Sequence, residues 1–313
     1  MTDAAAAACV VALDVGGTTI KGGVCDRDAA VVHRGRRRTA AGDGAGAVVD
    51  GIVALADALA ADGRRRFGAD GVAGIGLAVP GLVDEARGVA VEAVNLPWRD
   101  LALAGDVAER AGLPVVLSHD VRAAAAAEAA LGAGRGAGDF LFVAVGTGIG
   151  AAFVAGGAPY RGAPGRAGEL GHTVVEPDGP PCECGGRGHL EAIASAAAIE
   201  RAYAEAGGAD GGSAREVAEL AGAHDPIARE IWDRAVAALA SALASSVAVL
   251  DPALVVLGGG LADAGPALFE PLSAAVAERV TLGAPPPIVP AALGAEAGCR
   301  GAALLAWRAL APG

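Results

Sequence analysis

The chain has 313 residues, 53% hydrophobic, 19% charged and 3% aromatic, with a formal net charge of −12. That apolar share excludes a disordered chain, and the acidic balance argues against nucleic acid or an anionic membrane as a partner. The length suits about two domains of roughly 150 residues each. Lys21 is the only lysine among the 24 basic residues.

Residues 9–15 are apolar and β-branched, end at Gly16-Gly17, and predict a first strand. The N-terminus before them lacks the basic region of a signal peptide, so a cytoplasmic protein is expected. Segments 20–25 and 31–36 read as the next two strands, 45–61 as a helix, and 71–79 as a buried strand. Then follow a helix at 101–111, a strand at 115–118, an alanine-rich helix at 121–131, and a strand pair at 140–145 and 149–155. A turn-rich stretch, 159–189, interrupts the alternation. Beyond it lie helices near 191–206 and 227–250, a strand at 254–257, and helices near 265–280 and 296–309. Strands interleaved with helices give an α/β fold class. No apolar run reaches the ~20 residues a membrane span requires. Cys9, Cys25, Cys182, Cys184 and Cys299 are odd in number and scattered, which argues against a disulfide framework. The arginine runs 36–38 and 64–66 read as solvated ends of elements.

The segment Asp14-Val15-Gly16-Gly17-Thr18-Thr19-Ile20-Lys21 joins two strands by a Gly/Thr turn. Such glycines let backbone N–H groups reach a phosphate, the threonines add donors, and a strand-end carboxylate suits Mg²⁺. A plain β-hairpin with exposed threonines is the alternative. A second turn of this kind, Gly146-Thr147-Gly148, lies between the strands at 140–145 and 149–155. The repetition predicts two related lobes, as in nucleotide-binding folds of the actin/hexokinase type.

His172, Cys182, Cys184 and His189, spaced H-x9-C-x-C-x4-H, offer two thiolates and two imidazoles, a donor set suited to structural zinc; chance is the alternative. Asn95, Asp120, Glu169 and Glu191 are polar residues in apolar surroundings. Asp120, where a strand meets a helix, also suits a helix N-cap, and Glu191 suits the start of a helix dipole. Segment 80–84 reads as a turn shaping a pocket wall.

Together and in this order the motifs resemble the ROK family (repressors, open reading frames and kinases), from Asp14 to about Gly260. Residues 12–18 are similar to its first phosphate motif, and 145–150 to its second. Segments 74–81 and 95–98 are similar to its sugar-side segments, and 255–260 to its adenosine segment. Residues 168–172 and 182–191 resemble its zinc stretch. The resemblance implies a two-lobed actin/hexokinase-like (ribonuclease H-like) ATPase fold with a zinc-binding loop in the second lobe. One lobe would span 1–118, completed by a helix at 297–313; the other would span 119–296, with the loop at 169–191.

It further implies ATP, Mg²⁺ and structural Zn²⁺ as cofactors, and a homodimer or homotetramer. Asp120 would take the proton of the attacking sugar hydroxyl. Asn95, His119, Glu169, His172 and Glu191 would bind the sugar, with His172 also on zinc. Asp14, Gly16, Gly17, Thr18, Thr19, Lys21, Gly146, Thr147, Gly148, Gly258 and Gly259 would serve the nucleotide. Two positions depart from the family. His189 replaces the third zinc cysteine, and His119-Asp120-Val121-Arg122 stands where family kinases read Asn-Asp-Ala-Asn, which bears on sugar choice. The expected activity is ATP-dependent phosphorylation of glucose. Alternatives are an N-acetylglucosamine or N-acetylmannosamine kinase, a non-catalytic sugar sensor, and polyphosphate as donor. With 13 residues before Asp14 and a net charge of −12, a DNA-binding repressor is not expected.

Overall fold

In the computed structural model, which describes residues 8–163, 165–208 and 212–310, the first apolar run forms β1 (Cys9–Val15). It turns back through β2 (Thr19–Cys25) and β3 (Val31–Arg38) as an antiparallel meander. Helix α1 (Ala45–Phe67) follows, with Arg64, Arg65 and Arg66 exposed in its last turn, where cations suit the helix dipole. Next come β4 (Val72–Val79), then β5 (Leu82–Asp84), β6 (Val89–Glu92) and β7 (Arg99–Leu101), then α2 (Leu103–Ala111), β8 (Val115–His119) and α3 (Asp120–Leu131). The second meander is β9 (Phe140–Val145), β10 (Ile149–Ala155) and β11 (Ala158–Pro159). It is followed by α4 (Glu191–Ala194), α5 (Ala196–Glu205), α6 (Ala214–Gly222), α7 (Pro226–Leu250), β12 (Val255–Gly258), α8 (Pro266–Arg279), β13 (Ile288–Pro290) and α9 (Ala297–Leu310).

These elements form two units. The first holds the described residues up to Ala130, together with Arg161–Arg166 and those from Ala295 onward; the second holds the rest. The sequence reading drew its boundary at 118. Helix α3 lies almost wholly in the first unit, where Gly301 of α9 meets the Ala123 backbone. The main sheets have one topology: β3-β2-β1-β4-β8 in the first unit and β11-β10-β9-β12-β13 in the second. In each, a meander continues into parallel strands, so the Gly/Thr repeat marks a duplicated sheet.

In the first unit, Gly22 of β2 faces Leu59 of α1 and its neighbour Gly23 faces Cys299 of α9. Strand alternation therefore puts the two helices on opposite faces of the sheet. Leu13, Ile20, Ile52, Leu59, Ile75 and Leu77 fill this core. The core of the second unit is built around α7, whose Trp232, Leu239 and Leu243 are buried. By length and composition α7 would suffice to cross a membrane, against the expectation that no segment would. It packs along α6 and α8 and supplies core side chains.

The predicted helix over 191–206 breaks at Ser195, which leaves α4 extended and caps α5 by accepting the Ala198 N–H. The small sheet β5-β6-β7, helix α6 and β13 were not anticipated. Residues 1–7 and 311–313, part of the reading of both chain ends, lie outside the described residues.

Candidate active site

Strands β1, β4 and β8 run parallel, with Asp14 beside Ala78 and Val79 beside His119. Asp14 and the His119-Asp120 corner therefore share the carboxyl edge of one sheet, where open α/β sheets bind ligands. Asp120 opens α3; its Oδ1 accepts the Val121 N–H at 2.7 Å and faces His119 Nε2 at 3.4 Å. Burial pushes its carboxyl up to about 6, against the pull of the Val121 N–H and the Arg122 charge. Asp14 also sits at about 6, raised first by burial and then by the Asp120 charge, and lowered by Lys21. Lys21 lies directly across from Asp14 in the β1–β2 register and is exposed. The Asp14 carboxylate rests on the first turn of α9. A Cβ at Gly298 would stand 2.7 Å from its Cγ, so only glycine leaves room there.

The first Gly/Thr turn is closed by the Gly16 N–H donating to Thr19 O. Thr39, wholly buried, fastens it from outside: its hydroxyl donates to Gly16 O at 2.6 Å and its N–H to Thr18 O. Thr18 is left exposed at the tip and Gly17 lies against the Asn95 side-chain amide, so Asn95, expected on the sugar, borders this hairpin.

Behind Asp120 lies a buried ionic corner that sequence reasoning missed. Arg122, 2% exposed, donates Nε to Glu85 Oε1 at 2.9 Å and Nη1 to Gly165 O at 3.0 Å. Glu85 Oε1 also accepts the His119 N–H and the Ser118 hydroxyl, and Oε2 pairs with Arg161. His119, expected as a sugar ligand, is 8% exposed; burial and the Arg122 charge push its imidazole down to about 3.

In the second unit, β9 and β12 run parallel with Ala144 beside Gly258, so Gly258 and Gly259 share an edge with the Gly146-Thr147-Gly148 turn. Thr147 is exposed at the tip. Glu191 Oε2 accepts the Ile149 N–H at 2.7 Å. A Cβ at Gly148 would lie 2.5 Å from that same oxygen. Glu191, expected to bind sugar or serve the helix dipole, thus supports the second Gly/Thr turn.

Glu169 and His172 flank a short turn along β10, where Gly168 O accepts the Ala151 N–H. One ligating atom from each of His172, Cys182, Cys184 and His189 lies within 4.8 Å of all the others. Cys182 Sγ is 3.7 Å from His172 Nδ1, and Cys184 Sγ is 3.2 Å from His189 Nδ1. His172 turns its other nitrogen, Nε2, towards Glu169 Oε2 at 3.9 Å. Burial, with the Cys184 thiol beside it, raises the Cys182 thiol.

The ROK family model matches residues 10–309. The chain belongs to the ROK family. The glucokinase of Thermotoga maritima is 34% identical over 285 residues, covering 87% of this ROK protein and 88% of that enzyme. A ROK glucokinase from Streptomyces griseus, crystallised with glucose and AMPPNP, superposes with a TM-score of 0.82 at 32% identity, over 96% of this chain and 99% of its own. The ROK hexokinase of Thermus thermophilus gives 0.81 at 39% identity, with the same coverage. The fold of this ROK protein is accordingly the actin/hexokinase-like one.

Proposed function

We propose that the chain is an ATP-dependent hexose kinase that converts glucose to glucose 6-phosphate, with Asp120 as general base. The observation that carries this is Asp120 itself: a carboxylate at a strand-to-helix corner, pushed up to about 6, on the same sheet edge as Asp14. Such a group is ionised at neutral pH yet basic enough to accept a proton as the hydroxyl oxygen bonds to the γ-phosphorus and the bond to the ADP oxygen breaks. Phosphoryl transfer requires little else than position and charge, which the Gly/Thr turns and Lys21 would supply as N–H, hydroxyl and ammonium donors. Asp14 would hold Mg²⁺, which neutralises charge on the phosphates. Asn95, Glu169, His172 and Glu191 would bind the sugar. The glucokinase relatives support the choice of sugar.

The donor set of His172, Cys182, Cys184 and His189 fits zinc: two thiols and two imidazoles converge within 4.8 Å. Bound there, the ion would be structural, with no part in proton transfer. His172 would then present Nε2 towards Glu169, with its tautomer fixed by the engagement of Nδ1. The free thiols and the lack of any disulfide among the described residues suit a cytoplasmic enzyme.

A coupled ADP-release assay over glucose, N-acetylglucosamine, N-acetylmannosamine, mannose and fructose, with ATP and then polyphosphate, tests the proposal. Glucose with ATP is expected to give the highest kcat/KM. A preference for an N-acetylhexosamine would move the assignment to that sugar, and no turnover on any of the five would end it.

A further inference from the structure

The sequence reading gave His119 a place on the sugar, because it stands where family kinases carry a sugar-binding asparagine. The structure assigns it a different task. We propose that His119 is a positioning residue for Asp120: its Nε2, 3.4 Å from Asp120 Oδ1, holds the carboxylate so that Oδ2 takes the proton, while the Arg122 N–H fixes the tautomer of the ring.

His119 Nδ1 faces the backbone N–H of Arg122 at 3.4 Å, so it is the acceptor nitrogen. A neutral imidazole with Nδ1 accepting carries its single proton on Nε2. That nitrogen faces Asp120 Oδ1 at 3.4 Å, the oxygen already engaged by the Val121 N–H. Both contacts converge on one oxygen and leave Oδ2 for the hydroxyl.

The charged groups around the ring keep it a neutral donor. Arg122 and Asp120 approach it from α3, and Glu85 approaches from the segment after β5. Arg122 opposes a second proton on the ring, and its own charge is held in place by Glu85 Oε1 and Gly165 O. An imidazolium here would form an ion pair with Asp120 and make it a poorer base, whereas a neutral N–H aims the carboxylate and leaves its charge intact. Glu85 also accepts the His119 N–H and the Ser118 hydroxyl, which pins the backbone corner that carries Asp120.

The inference rests on the kinase reading for its meaning but not for its test. In two-bond ¹H–¹⁵N spectra of the wild-type protein, the His119 imidazole, assigned by the signal that vanishes in His119→Gln, should show the Nε2–H tautomer, unchanged from pH 5 to 8. A His119 ring that titrates in that range, or carries its proton on Nδ1, overturns the proposal whether or not the protein phosphorylates sugar. Kinetics give the second readout. His119→Leu keeps bulk and removes the donor; kcat should fall about tenfold with KM for glucose within about twofold. The acid limb of kcat should move to higher pH, because an N–H donated to a carboxylate favours its charged form. His119→Gln, which carries a donor at similar reach, should recover most of the loss. A His119→Leu enzyme whose KM for glucose rises about tenfold with kcat and acid limb unmoved would return the ring to the sugar.

Discussion

Gly298 offers the sharpest test of where Asp14 has to be. An alanine there places a Cβ 2.7 Å from Asp14 Cγ and Oδ2 and 3.0 Å from Oδ1, whereas ordinary contact begins near 3.4 Å. The carboxylate must retreat by about 0.7 Å, since the helix on the other side is packed against β4 through the Ala302 backbone and Gly76. Misplacement by about 1 Å at a reacting centre costs up to about 100-fold, so a fall of about 10- to 100-fold in kcat/KM for ATP is expected. Two terms oppose each other in stability. Alanine is better than glycine in a helix by up to about 1 kcal/mol, and an off-rotamer Asp14 costs about the same. Folding stability should therefore stay within about 1 kcal/mol of wild type while the nucleotide side fails. The assay is kcat/KM for ATP over a Mg²⁺ titration, with KM for glucose as the control, expected within about twofold. A Gly298→Ala enzyme with wild-type ATP kinetics and Mg²⁺ dependence would refute the placement of Asp14 at the phosphates.

Four other outcomes follow from the same geometry. Asp120→Asn should lose at least about 100-fold in kcat while raising stability at pH 8, measured by urea denaturation. The sign follows from a folded pKa near 6 above an ordinary 3.8: the ionised form is disfavoured in the fold, so stability declines as pH rises from about 4 to 6 and is flat above. The gain is at most about 3 kcal/mol, less for a side chain 29% exposed. In the wild type, kcat/KM for glucose should fall below about pH 6 as Asp120 takes up its proton, and a flat profile from pH 5 to 8 would count against Asp120 as base. Metal analysis of unchelated protein should give about one zinc per chain, lost in Cys182→Ser; under about 0.2 would remove the ligand assignment. Glu191→Ala should raise KM for ATP as well as for sugar, because the Ile149 N–H loses its acceptor. A rise confined to the sugar would place Glu191 in that role alone.

Much of the scaffold is written in local sequence. The central strands of both main sheets, β1, β4, β9 and β12, are apolar runs, and the Gly/Thr turns announce their own geometry by composition. The short strands β5, β6 and β7 are not legible this way, because three or four residues between glycines and prolines carry no periodicity. Ser195 broke a predicted helix because an N-cap inside an alanine-rich stretch looks like one more small residue. At the site, the residues in motifs could be named from spacing, but their supports could not. Thr39 reaches Gly16 only because β3 lies beside β2 in one register, and Gly298 meets Asp14 from the far end of the chain. Glu85 carried no signal either; its partner Arg122 stood out as an unusual neighbour of Asp120, but nothing in the sequence tells that it is buried.

The exposed ammonium across from Asp14 has a practical consequence. With one lysine in 313 residues, an amine-directed reagent finds a single side chain, and that side chain borders the turn assigned to the nucleotide. Acylation of Lys21, read by mass spectrometry with and without ATP, is therefore a footprint with one side-chain site. The solvated arginines that make up the rest of the cationic surface are silent to it.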